Sequence, residues 1–252
     1  MSLALHIHPL SMPSWAVLIA LYENETPFEL KLVSFEQNAV VKDLERFDDY
    51  VPRLIDSSGD ASDWKGDEPL LTHIGQRHPG RLIFESDDSD LEWQIGAFSH
   101  CFRHLHEPML ELLSQGLLPG QARDAARSER ARDYLEKRYD ELEKSIARAD
   151  STPDRPFTVG DCWAAAALYH VNRVHPFDQR HELTEYWRRL STRPSVMRVI
   201  RECEPYLDRI SEYGVPVMLS PRRQRLIETW FEMEAELAKG PDADWSKWEP
   251  SE

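Results

Sequence analysis

Apolar positions follow two different rhythms along this chain, and the change comes near residue 88. Before it they come in short runs that alternate or are wholly apolar; after it they recur every three to four residues. Leu3–Ile7 reads as a strand. A short loop carrying Pro9, Ser11 and Pro13 follows, then the dense run Trp15, Val17, Leu18, Ile19 and Leu21, which predicts a buried helix. The stretch His8–Glu23 is therefore the element around which the rest is organised. Ser14 is the expected N-cap, with Pro13 just outside the helix. A helix start here directs backbone N–H groups and about half a positive charge at whatever lies above Ser11, which suits an anion such as a thiolate.

The same reading continues through the first 80 residues. Glu29–Phe35 predicts a second strand and Val40–Phe47 a short helix. Val51–Pro52 opens a strand at Leu54–Ile55, where a proline marks an edge or a special turn, including a cis bond. Ser57–Gly59 is a turn and Ser62–Lys65 a further strand. Asp67 caps a helix over Leu70–His78, with Glu68 and Pro69 in its first turn, and Pro79–Gly80 stops it. The order β-α-β-α-β-β-α predicts a mixed four-stranded sheet with helices. Helical periodicity then marks Leu91–Gly116, Gln121–Ala149, Asp161–Val174, Glu182–Leu190, Ser195–Tyr206 and Leu226–Lys239. The expected organisation is an α/β domain over 1–80, a linker over 81–90, an all-α domain over 91–239 and a flexible tail over 240–252.

Charge narrows the partners. Lys and Arg number 30 against 45 Asp and Glu, a formal net charge of -15. Such a surface repels a phosphate backbone or an anionic bilayer, so neither nucleic acid nor membrane is expected. The three cysteines Cys101, Cys162 and Cys203 are far apart and form no CxxC pair, which fits a reducing, cytoplasmic setting. The apolar run after Pro13 is far shorter than the ~20 residues that span a bilayer, and no basic leader precedes it.

Several motifs, in order, resemble the cytosolic glutathione transferase superfamily over about residues 3–210. Ser11-x-Pro13-Ser14-x-x-Val17 followed by Ala20-Leu21 resembles the first loop and helix of its serine-type (theta-, delta- and zeta-like) classes. Val51-Pro52-x-Leu54 resembles their cis-proline strand, and Leu70-Leu71-x-x-Ile74-x-x-Arg77-His78-Pro79 the end of their third helix. Phe157-Thr158-Val159-Gly160-Asp161 with Ala164–Ala167 resembles the buried capping box of their helical domain. Leu190-x-x-Arg193-Pro194-Ser195 resembles the close of that domain. The resemblance implies a thioredoxin-like N-terminal domain, a C-terminal all-helical bundle, glutathione as co-substrate, no metal, and a homodimer.

It also assigns roles. Ser11 stands where the serine-type enzymes place the hydroxyl that hydrogen-bonds the glutathione sulfur. A thiol ionises near pH ~8.5, and a donor beside it favours the attacking thiolate. Pro13 stands where cysteine-type relatives carry a catalytic cysteine. Ser14, Val51, Pro52, Asp67 and Glu68 are the expected glutathione contacts, Val51 through its backbone. Here the chain departs from the family: the Glu/Gln-Ser pair that grips the γ-glutamyl end falls on Gly66-Asp67, Asp67-Glu68 or Glu68-Pro69 according to register. An acidic side chain survives in each register and the serine in none. Leu10, Met12, Trp15, Phe98 and Phe102 are the expected contacts of an apolar electrophile, or else plain core. His100 and His104, one helical turn apart around Cys101, lack a further ligand pair and are read as pocket-lining or solvated. Leu226, Trp230, Met233 and Leu237 share one helix face, which folds over the cleft as a lid or packs outside the helical domain.

These expectations describe a transferase that conjugates glutathione to hydrophobic electrophiles, or displaces a halide or aryloxide. The alternative is a non-catalytic binding or scaffold protein of the same fold. A glutathione-dependent isomerase or peroxide reductase is a third reading, disfavoured by the lack of a first-loop cysteine. Thr158 and Asp161 satisfy two orphan N–H groups at a helix start whatever the function. On sequence alone, Asp161→Ala removes a cap, lowering stability by ~1–2 kcal/mol without touching the chemistry.

Overall fold

The computed structural model describes residues 3–33, 52–57, 62–65, 67–89, 92, 95–96, 100, 102, 104–149, 155–208 and 221–244. The strands are β1 (Leu3–Ile7), β2 (Glu29–Leu32), β3 (Arg53–Asp56) and β4 (Ser62–Lys65), in the order β2-β1-β3-β4. β1 runs parallel to β2 and antiparallel to β3, and β3 is antiparallel to β4. The helices are α1 (Met12–Glu23), α2 (Asp67–Arg77), α3 (His106–Leu117), α4 (Ala125–Ala149), α5 (Val159–Val174), α6 (His181–Ser191), α7 (Pro194–Leu207) and α8 (Pro221–Leu237). A thioredoxin-like sheet unit thus precedes a helical one. The helix expected over Val40–Phe47 and part of that over Leu91–Gly116 lie outside the described residues. Beyond α8, a 3-10 turn spans Gly240–Asp242, and residues 245–252 of the expected tail lie outside the described residues. No described helix is long and apolar enough to cross a membrane.

α1 is the shared core of both units. Every residue from Trp15 to Leu21 is at most 1% exposed. A helix apolar on all sides must be enclosed on all sides, and α1 is packed by α2, α5 and α7. Trp15 stacks on Tyr169 of α5 at 4.8 Å between ring centroids and meets the edge of His170 at 4.6 Å. Ala164–Ala167 of α5 are buried at 0–1% exposure, and these small side chains let the two backbones approach.

The far end of α1 is tied by polar groups. Glu23 accepts from the Ser195 hydroxyl at 2.6 Å and pairs with Arg193, anchoring α1 to the start of α7. Buried Asn24 donates to the His78 carbonyl at 2.7 Å and accepts from the Leu82 N–H at 3.2 Å. Gly80 is required beside it, since a Cβ there would lie 2.3 Å from the Asn24 carbonyl oxygen. Ile83 then bridges to Thr158, and its carbonyl accepts from Val159 N–H at 2.9 Å. The segment between the two units is therefore stitched to both.

The capping box at Thr158 forms, and it does more than the sequence implies. The Asp161 carboxylate accepts from the Thr158 N–H at 2.7 Å and from its hydroxyl at 2.9 Å. It also pairs with Arg155 and accepts from the buried Tyr186 hydroxyl of α6. Arg155 is 11% exposed at its side chain and Asp161 1%. Losing the carboxylate removes the charge partner of a buried guanidinium as well as the cap, so the loss exceeds that of a cap alone. Asp161→Ala is expected to lower unfolding free energy by ~3–5 kcal/mol in a denaturant titration. Pairing it with Arg155→Leu is expected to recover part of that loss.

Two buried imidazoles set the acid limit. Burial pushes His8, after β1, down to about 3, and His170 on α5 down to about 4. Both rings stay neutral in the folded chain while the unfolded chain takes up protons below pH ~6.5, so stability is full above that pH and falls as pH drops towards 4. For His8 alone the loss by pH 4 is on the order of 3 kcal/mol. Melting temperatures measured from pH 7.5 to 4 are expected to fall less steeply in His8→Asn, which keeps an acceptor near the Nδ1 position, than in the parent chain.

Candidate functional site

Strand registers bring three sequence-predicted features to one end of the sheet. His6 of β1 lies opposite Arg53 of β3, so Pro52 is level with Ile7, where the chain turns towards Ser11. Arg53 in turn lies opposite Lys65, the last residue of β4, two residues before α2 begins at Asp67. The start of α1, the proline at the head of β3 and the start of α2 therefore share an edge. Val51 lies outside the described residues, and of Asp67 and Glu68 only the backbone is described. α2 begins at Asp67 itself, so both acidic residues stand in its first turn, where they complement the helix dipole.

The loop before α1 is braced from within. The His8 carbonyl accepts from Ser11 N–H at 3.0 Å, and its Nδ1 accepts from Leu10 N–H at 3.2 Å, so the neutral ring carries its proton on Nε2. The Trp15 indole N–H donates to the Pro9 carbonyl at 2.7 Å. His8 had no partner legible in the sequence; the structure pairs it with the loop two residues onward.

The helix cap differs from the expectation. Ser11, not Ser14, is the N-cap: its backbone is extended (φ -89°, ψ 109°) and its Oγ accepts from Ser14 N–H at 3.3 Å. Pro13 sits inside the first turn, where its missing N–H costs no hydrogen bond. Ser14 is fully buried, and its Oγ has no hydrogen-bond partner among the described residues. The expected fan of free amides is correspondingly thin: Pro13 has none and Ser14's is taken, which leaves that of Met12. The principal donor at this helix start is thus the half-buried Ser11 hydroxyl. Capping occupies one of its lone pairs and leaves its proton to give.

The expected electrophile contacts are largely enclosed. Met12 and Trp15 are each 1% exposed, Phe102 0% and Leu10 7%. Phe98 lies outside the described residues. The rings of His100 and His104 lie 4.2 Å apart, and His104 pairs with Glu234 of α8 at 3.2 Å. α8 is laid against α3 and tied to α4 by polar contacts. Arg130 makes two 2.9 Å bonds to Glu228, and the Tyr134 hydroxyl donates to Glu234 at 2.8 Å. A groove of about 480 Å³ beside Tyr22, Phe28, Arg198 and Glu202 lies at the opposite end of α1 from Ser11.

No protein-family model and no curated protein sequence matches the chain. Solved structures do. A glutathione S-transferase from Methylobacterium radiotolerans in complex with glutathione sulfonate is 20% identical at a TM-score of 0.64, covering 79% of this chain and 95% of that one. A glutathione transferase family member from Pseudomonas fluorescens Pf-5 with bound S-(propanoic acid)-glutathione gives 20%, 0.64, 78% and 98%. Ure2p in complex with S-hexylglutathione gives 18%, 0.65, 79% and 98%. At these identities the likeness is one of architecture: this chain has the two-part fold of the glutathione transferases.

Proposed function

We propose that this chain is a glutathione transferase of the serine type that conjugates the glutathione thiolate to an apolar electrophile. The observation that carries the reading is Ser11, a half-buried N-cap whose hydroxyl accepts from Ser14 N–H and keeps its proton to donate, at the edge where Pro52 and the start of α2 also lie. The neighbouring structures with bound glutathione derivatives support the choice of co-substrate. Bound glutathione would set its sulfur against Ser11 Oγ, which donates to the thiolate more strongly than to the thiol and so draws the ionisation towards neutral pH. The backbone of Val51, beside Pro52, would pair with the cysteinyl part. Asp67 or Glu68 would face the ligand's ammonium in the first turn of α2. Leu10 and Phe98 would face the electrophile, over a packed layer in which Met12, Trp15 and Phe102 are enclosed. Rate would come from proximity and thiolate stabilisation rather than general-base catalysis. The chain would act in the cytoplasm as a homodimer, as the family resemblance implies.

The second reading is a glutathione-fold binding protein without turnover. What favours it is the start of α2, where Gly66-Asp67-Glu68-Pro69 carries no serine for the γ-glutamyl end. Titration calorimetry with glutathione, followed by a conjugation assay, decides between them.

Variants at Ser11 separate cap from chemistry. Ser11→Ala is expected to lower kcat/KM by ~10–100-fold, the worth of a hydrogen bond to a charged group, and to move the rise of the pH–rate profile upward. Ser11→Asp keeps a capping oxygen and preserves stability, but repels the thiolate and is expected to be less active than Ser11→Ala. Ser11→Thr, which retains the hydroxyl, is expected to be more active than either. Unchanged turnover in Ser11→Ala would remove Ser11 from the mechanism.

A further inference from the structure

At the other end of the sheet from Ser11, three metal-ligating side chains converge. Asp56 closes β3 opposite Leu3, four residues from the Ile7 end of β1. His73 lies on α2, and His78 follows its last residue. The Nε2 atoms of His73 and His78 lie 3.0 and 3.1 Å from the same oxygen, Oδ2 of Asp56. All three ligand atoms fall within 4.8 Å of one another.

We propose that Asp56, His73 and His78 form a binding site for one divalent transition-metal ion of the zinc class. Four-coordinate zinc at ~2.1 Å from its ligands sets neighbouring ligand atoms ~3.4 Å apart. The two Asp56–His spacings are a few tenths of an ångström shorter, so a small outward movement of the rings admits the ion. Two imidazoles and a carboxylate are a donor set that suits zinc over magnesium or calcium. The site is preformed. Asp56 and His73 are 6% and 7% exposed at their side chains, and Asn24 grips the His78 carbonyl. It has one open side, because the His78 side chain is 18% exposed. Metal enters there, and water completes the fourth position. With the ion bound through both Nε2 atoms, each ring carries its proton on Nδ1. Joining β3 to the end of α2, the ion acts as a structural tie, remote from the proposed thiolate.

The ligands are separated by 17 and 5 residues, which matches no linear metal motif. Only the pairing of β3 with α2 brings them together. The sequence reading, which assigned no metal, weighed His100 and His104 and overlooked this set.

The test uses the full-length chain stripped of metal by a chelator. Zinc added in a calorimeter is expected to bind one equivalent, and cobalt(II) to develop the intense visible absorption of four-coordination. Either metal should raise the melting temperature. His78→Gln, at the partly exposed ligand, is expected to weaken zinc binding by ~100-fold. A measurement on the unaltered chain guards against a variant that fails to fold. Zinc should protect His73 and His78 from modification by diethyl pyrocarbonate, read by peptide mass mapping, and leave His100 and His104 as reactive as before. No zinc uptake, uptake undiminished in a folded His78→Gln chain, or protection of other histidines alone would each overturn the proposal.

Discussion

The enclosure of α1 is the constraint on which this structure depends. A helix with no polar face cannot sit at the edge of a domain; each side must be covered, and the first 80 residues supply only part of that cover through α2. The remainder comes from α5 and α7 in the helical unit. The hydrophobic effect, acting on one twelve-residue helix, thus couples the two units. Polar bonds set their register: Glu23 to Ser195 and Arg193, Asn24 to His78 and Leu82, and Ile83 to the cap of α5.

The proposed function rests on the same burial. Because the body of α1 is immobilised, its N-terminus is a fixed point, and the loop ahead of it is braced by His8 and by the Trp15 indole. A hydroxyl held by a capping bond keeps its remaining proton directed without losing much conformational entropy when a ligand arrives. Strand pairing sets Pro52 and the start of α2 beside it. The proposed thiolate site is thus an edge of the sheet served by three elements, and the proposed metal site is the opposite edge of the same sheet.

Much of the architecture was legible in the chain. The helices at 125–149, 159–174, 181–191 and 194–207 match the periodic segments closely, because 3.6-residue spacing survives any tertiary arrangement. So did the strands at Leu3–Ile7 and Ser62–Lys65, and the capping box at Thr158 and Asp161. The cap of α1 was misplaced by three residues, because Ser11 and Ser14 are both good N-caps and Pro13 suits either side of a helix start.

By itself, then, the sequence determined which segments are helix and strand and that the first helix must be buried. These are consequences of periodicity, side-chain polarity and local capping, all of which act within a few residues. Tertiary structure alone decided which serine caps α1, that Arg155 and Tyr186 share the Asp161 carboxylate, that Met12, Trp15 and Phe102 are enclosed, and that Asp56 meets His73 and His78. Each of those depends on contacts between residues distant in sequence or on a choice between two locally equivalent geometries, and packing, not propensity, settles both.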